Sequence, residues 1–288
     1  MAVVNTNVNA SVAQNALVRN ERSMNQAMER LSTGQRINSA GDDAAGLAIA
    51  SRMTSQIRGL EVGVRNANDA ISMISTADGA LVEVTNMLQR MRELALQASN
   101  GTSTAADRDY LHQEYANLIT EIDRIADNTQ WNGMNILNNT TDASSQFKYQ
   151  VGANGGQTIQ VDFGDLTNTA GGSGIMQEIN SAHGVLSAAT TAAALTLATS
   201  AIVAIDSAIT SVNSQRATFG AAINQLTYAV DNLSNVKVNS EAARSRVLDT
   251  DYARETSELA RTQIIQQAGT AMLAQANQLP QTVLALLQ

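Results

Sequence analysis

Residues 53–95, MTSQIRGLEVGVRNANDAISMISTADGALVEVTNMLQRMRELA, place an apolar side chain at every seventh position: Met53, Leu60, Ala67, Ile74, Leu81, Leu88 and Ala95. Ile57, Val64 and Ile71 supply a second seam, whose phase then shifts to Ala77, Val84 and Met91. A seven-residue spacing returns to one face of a helix every two turns, so these side chains form a stripe that buries against partner helices. The pattern predicts one helix from about residue 44 to residue 99, spanning ~80 Å at ~1.5 Å per residue. Globular helices commonly run about 8–20 residues, so this length points to a rod.

The same spacing recurs toward both ends of the chain. Val3, Ala10, Leu17, Met24 and Leu31 form an N-terminal seam with Ala13 and Ala27 as companions. A polar interval from Ser32 to Asp43, with Gly34 and Gly41, separates it from the long helix. Asn100-Gly101-Thr102 ends that helix, and a shorter one follows with Leu111, Leu118 and Ile125 beside Tyr115 and Ile122. The runs 147–151 and 158–163 alternate apolar and polar residues around Gly152, Gly155 and Gly156, which predicts a small hairpin region at about 131–164. Residues 165–200, rich in Gly, Ser, Thr and Ala, are expected to form a short surface insertion. Helical seams then return: Ile202, Ile209, Ile223 and Val230 interleave with Ile205, Val212, Phe219, Leu226 and Leu233, with Arg216 as a polar intruder. A last segment carries Ile265, Met272, Leu279 and Leu286, alternating with Ala268, Ala276 and Val283. The fold class is therefore mainly α: a long antiparallel helical bundle or coiled coil built from N- and C-terminal segments, with a small β-hairpin region.

Composition narrows the function. Aromatic residues are only 3% of the 288, so the core is built from aliphatic side chains, and the single proline, Pro280, leaves helices uninterrupted. A net charge of -8 argues against a nucleic-acid surface, which needs clustered Lys and Arg. Cysteine is absent, excluding disulfides and Cys-ligated zinc. Residues 1–18 lack the basic and continuous apolar segments of a Sec signal, and no run of about 18 apolar residues is present to span a membrane. His112 lies near Glu114, but a zinc helix of the His-Glu-x-x-His type needs a second His where Ala116 stands, and His183 has no partner nearby. Asp42-Asp43 fits the cap of the long helix better than a metal pair. Neither an enzyme nor a cofactor is expected.

Charge distribution is the sharper signal. Residues 1–18 and 262–288 contain no charged side chain, and their polar positions are Asn, Gln, Ser and Thr. Such faces are dehydrated against neighbours at far lower cost than charged ones. The C-terminal segment has too few large apolar residues to offset the ordering of its own backbone alone. Both ends are therefore expected to be disordered in the lone chain and to become helical on assembly with other copies. A membrane-surface helix is disfavoured, because it would carry Lys and Arg on its polar face.

The stretch from Arg30-Leu31-Ser32-Thr33-Gly34-Gln35-Arg36-Ile37-Asn38 through Ala44-Ala45-Gly46-Leu47-Ala48-Ile49-Ala50 closely resembles the N-terminal signature of bacterial flagellins. So do Ala243-Arg244-Ser245-Arg246-Val247, Gln266-Gln267-Ala268-Gly269, Ala274-Gln275-Ala276-Asn277-Gln278 and the run from Pro280 to Leu287. Asn128-Thr129-Gln130-Trp131-Asn132-Gly133 and Gln150-Val151-Gly152-Ala153-Asn154 resemble the family's hairpin region, and the likeness covers nearly everything except about 165–200. It implies a structural subunit that polymerises into a flagellar filament for swimming, exported to the cell exterior through the flagellar type III pathway. Residues 1–43 and 248–288 would form the terminal filament-core domain. Residues 44–164 and 201–247 would form a helical-bundle domain around it. The polymer core would be carried by Val3, Ala10, Leu17, Met24, Leu31, Ile265, Met272, Leu279, Val283 and Leu286.

The resemblance also implies partners. Beyond many copies of the chain itself, these are an export chaperone, the filament cap and hook-associated junction proteins. Gln89, Arg90, Leu94, Gln97 and Glu114 match positions contacted by a Toll-like innate receptor in a host. Val283, Leu284, Leu286 and Leu287 match a terminal motif read by a cytosolic immune sensor and, in the same segment, by the chaperone; position 288 is Gln where the family has a basic residue. A hook–filament junction protein is the rival reading, and the intact run from Gln266 to Leu287 favours the filament. Ser and Thr in 181–211 are candidate O-glycosylation sites or simply part of a helix-tolerant linker.

Overall fold

A computed structural model describes residues 7–138, 146–166 and 191–285; the side chains of 191–195 and 279–285 lie outside that description. Among the described residues, five helices and four short strands follow in the order α1 (Val8–Thr33), α2 (Ala44–Ala98), α3 (Ala105–Asn128), β1 (Gln130–Trp131), β2 (Met134–Asn135), β3 (Gln146–Gln150), β4 (Thr158–Asp162), α4 (Thr191–Leu248) and α5 (Tyr252–Ala285). The chain divides into two compact units, residues 1–57 with 238–288 and residues 58–237. Both divisions fall inside long helices, α2 and α4, and not at the 43/44 and 247/248 boundaries expected from the sequence.

In the smaller unit α1 and α5 run antiparallel. Gly34 ends α1 with φ 71°, and its N–H donates to the Arg30 carbonyl at 2.9 Å, the left-handed cap that glycine adopts without strain. The strand-like segments after α1 and before α5 then pair: Arg36 N donates to Leu248 O at 2.7 Å and Thr250 N to Gly34 O at 3.1 Å. The two aspartates before α2 divide their work. Asp43 Oδ1 accepts from the Gly46 amide at 2.8 Å and caps the helix, while Asp42 Oδ2 accepts from the Asn38 and Ser39 amides at 3.2 and 2.9 Å. These amides, Ser39 first, hold the Asp42 carboxyl below its ordinary pKa.

The larger unit is built on the heptad stripe. Leu60, Ala67, Ile74, Leu81, Leu88 and Ala95 are all buried, as are Ala77, Val84 and Met91 after the phase shift. Opposite them stand Tyr115, Ile119 and Ile122 of α3, and Ile205, Val212, Phe219 and Leu226 of α4. Ala198, Ala201, Ala208 and Ala222 fill the gaps between the larger α4 residues. The Arg216 intruder is explained by an ion pair with Asp78 at 2.8 Å. Arg92–Asp206 at 2.7 Å and Lys237–Glu61 at 2.8 Å repeat the device at the margin of the same antiparallel helix pair.

The small hairpin region expected from the sequence is present as two antiparallel pairs: β1–β2, turned by Asn132 and Gly133 with φ 49° and 77°, and β3–β4, in which Tyr149 pairs with Ile159. Two consecutive positive φ values give the tight turn whose twist matches antiparallel strands. Of the interval 165–200 expected as a surface insertion, residues 167–190 lie outside the described residues, and the flanking parts belong to the packed unit. Leu166 is buried, its N–H donating to Leu137 O at 2.9 Å, and α4 already begins at Thr191, so that Ala198 is fully buried. The Ala and Thr run that looks featureless in the sequence extends the helix, because alanine costs nothing in a helix and packs where larger residues would not fit.

Candidate functional site

The α1–α5 pair carries the charge-free segments 7–18 and 262–285, and its geometry begins at the N-terminus of α1. Asn7 caps the helix, Oδ1 accepting from the Ala10 amide at 3.1 Å, and its Nδ2 donates across to the Ala276 carbonyl of α5 at 2.9 Å. Midway, Asn20 is buried and donates through Nδ2 to the Thr262 carbonyl at 2.8 Å and to Gln266 Oε1 at 3.0 Å. At the far end Arg30 Nη1 meets Glu255 Oε1 at 3.2 Å, and Glu255 is 8% exposed. Between them Leu17 reaches over Gly269, where a Cβ would stand 2.6 Å from Leu17 Cδ2.

These contacts show which face of each helix is spent within the chain. On α1, Asn20 and Ala27 are buried, and Ala10, Leu17, Met24 and Leu31 are half-buried. On α5 the inward positions are Glu255, Thr262, Gly269 and Ala276, with Leu259, Gln266 and Leu273 alongside. Ile265 and Met272, expected in the seam, point away instead and are 46% and 65% exposed. Ile264, Val8, Val12, Val18 and Met28 are exposed as well. Apolar residues are spread evenly around α5, so heptad counting offers several stripes and does not say which one meets α1. Leu279, Val283 and Leu284 belong to α5, or at its end, with side chains outside the description; Val3, Leu286 and Leu287 lie outside the described residues altogether. Asn20 was missed, although it occupies the heptad position between Ala13 and Ala27, and a polar residue there is the available signal.

The second candidate surface lies on α2 and α3. Arg90 Nε donates to Glu114 Oε1 at 2.9 Å and Arg90 Nη1 to Glu93 Oε2 at 3.0 Å, both at exposed side chains. The Glu114 hydrogen bond leads the effects that raise the Arg90 pKa further. Gln89 and Gln97 are exposed beside them. Leu94 does not belong to this surface: it is 1% exposed, within the core of the larger unit, because its heptad phase turns it toward the buried stripe. Among the described residues there is no group of three or more His, Cys, Asp or Glu able to hold a metal, and no helix is long and apolar enough to cross a membrane.

Comparison with known families decides what such a chain is for. Residues 4–142 match the bacterial flagellin N-terminal helical region and residues 202–287 the bacterial flagellin C-terminal helical region. The chain belongs to the flagellin family. It is similar to the flagellin of Halalkalibacterium halodurans, 46% identical over 286 residues covering 99% of this chain and 100% of that one. It is also similar to the flagellar filament 33 kDa core protein of Treponema phagedenis, 41% identical over 295 residues with 99% and 100% coverage. A protein of Vibrio parahaemolyticus described as a flagellar hook-associated protein shares the fold, with a TM-score of 0.61 at 15% identity, over 72% of this chain and 100% of that one. As a flagellin the chain is a structural subunit of the bacterial flagellar filament, self-assembling and non-catalytic.

Proposed function

We propose that the chain enters the filament through the outer faces of the α1–α5 pair, with residues 1–43 and 248–288 as the polymer core. One observation carries this reading. Val12, Val18, Ile264, Ile265 and Met272 are exposed on a helix pair whose segments 7–18 and 262–285 bear no charge. Other copies supply the cover that a single chain lacks, and uncharged Asn and Gln faces are dehydrated at modest cost. The terminal segments order fully only in that setting, and export precedes it, through the flagellar type III route with a chaperone holding the apolar C-terminal segment in a groove. Cap and hook-associated junction proteins contact the same ends, and the assembled subunit stands outside the cell.

Deleting residues 280–288 tests the proposal. The truncated chain stays soluble and forms no long filaments when seeded; normal filaments in electron micrographs would sink the reading. A receptor of the Toll-like class is the proposed host partner for Gln89, Arg90, Gln97 and Glu114, supported by their exposure and by the Arg90–Glu114 pair that joins α2 to α3. Leu94 supports that surface from beneath. Loss of receptor signalling in Arg90→Ala, with filament growth unchanged, is the expected result; unchanged signalling refutes it.

A further inference from the structure

An assembly of many identical helices with charge-free ends needs something to keep each α1 aligned with its own α5, beyond the backbone pairing of 34–36 with 248–250 at one end. Ala10, Leu17, Met24 and Leu31 repeat every seven residues, so sliding α1 by one heptad, about 10 Å, re-presents nearly the same apolar seam. No charge between 7 and 18 or between 262 and 285 resists the slide. We propose that Asn20 fixes the register of α1 on α5, and that the Leu17–Gly269 notch and the Arg30–Glu255 pair reject the adjacent registers. The proposal rests on the reading that these two helices are the polymerising element.

Each of the three side-chain contacts fails on a one-heptad slip in either direction. The Asn20 bond to the Thr262 carbonyl has a backbone equivalent in a slipped register, so Gln266 is what discriminates: the positions seven residues away from it are Leu259 and Leu273, which offer no side-chain acceptor to a buried amide. Leu17 lies over Gly269; the equivalent positions are Thr262 and Ala276, and even the first carbon of a side chain at 269 would stand 2.6 Å from Leu17 Cδ2. Arg30 pairs with Glu255; a slip sets it against Thr262 or carries it to Leu248, which lies in α4 beyond the start of α5. A buried Asn at a seam position is a known way to specify register at some cost in stability. Here it also discourages α1 of one copy from pairing out of register with α5 of another.

The test uses full-length chains grown from wild-type filament seeds and imaged by electron cryo-microscopy. Asn20→Leu is expected to give filaments in which α1 density is smeared or displaced by about one heptad along α5. Sharp density in the wild-type register would overturn the proposal, and would leave the 280–288 deletion as an independent test of the polymerising role. If Asn20→Leu does not grow, Asn20→Gln decides, because it keeps the amide. Growth in the wild-type register supports the pin, whereas failure of both variants means that side-chain shape governs the site and overturns the assignment.

Discussion

The carbonyl oxygen of Val151 lies 2.6 Å from where a Cβ on Gly63 would stand, so the turn after β3 rests directly on the backbone of α2. Gly59, one turn earlier, gives Ala153 the same closeness, with 2.9 Å between an added Cβ and the Ala153 Cβ. Asn66 fastens the seat, donating from Nδ2 to the Gln150 carbonyl at 2.9 Å.

Gly63→Ala should therefore lower the melting temperature by a few degrees. Helix propensity favours Ala by about 1 kcal/mol, but displacing a backbone carbonyl costs about 1–3 kcal/mol. Gly79→Ala is the control: nothing lies within 4 Å of its added Cβ, so only the propensity gain remains, and the melting temperature should rise. Circular dichroism of the soluble chain reads both. The same sign for the two variants would contradict the geometry.

Arg30→Met leaves Glu255 nearly buried without its partner, since the carboxylate side chain is 10% exposed and the arginine 25%. A loss of about 2–4 kcal/mol in the α1–α5 pairing is expected, because an orphaned charge loses its compensation. The double variant Arg30→Met with Glu255→Met should recover most of it. Light scattering during thermal depolymerisation of filaments measures the order: wild type, double variant, then single variant.

Asp123 provides a pH signature. Burial, and then the neighbouring Asp127, raise its pKa above the ordinary 3.8, and its Oδ1 is buried without a hydrogen-bond partner. A raised carboxyl favours folding below the ordinary pKa and loses that contribution as pH climbs through the raised value. Asp123→Asn should thus raise the melting temperature at pH 7, and the gain should vanish near pH 3. A gain that persisted unchanged in acid would show that the ionised carboxylate is not the cause.

Phe163 packs with its ring centroid 5.1 Å from both Phe147 and Phe219, and is 1% exposed. Phe163→Ala should cost about 3–5 kcal/mol through lost burial and the cavity left behind. Far-UV circular dichroism in a urea titration should show an earlier midpoint for the larger unit. An unchanged midpoint would mean that the link from β4 to α4 contributes no stability.

The helices were legible because each long one has a large periodic signal: seven residues from Met53 to Ala95 mark α2, and the structure ends it one residue from the expected boundary. The start of α4 was not legible, because alanine and threonine between 191 and 200 carry no pattern that separates a helix from a linker. On the Arg90 surface, the resemblance grouped Leu94 with Gln89, Arg90, Gln97 and Glu114, and only packing shows that Leu94 turns inward.

By itself the sequence determined that this chain is a set of long amphipathic helices with charge-free ends, because heptad spacing and the absence of Lys, Arg, Asp and Glu are local properties. Only the tertiary structure decided which stripe of α5 faces α1. That choice sets Gly269, Gln266 and Glu255 against Leu17, Asn20 and Arg30, and turns Ile265 and Met272 outward. The reason is physical: an evenly apolar helix has no preferred side until the shapes and polar groups of a particular neighbour give it one.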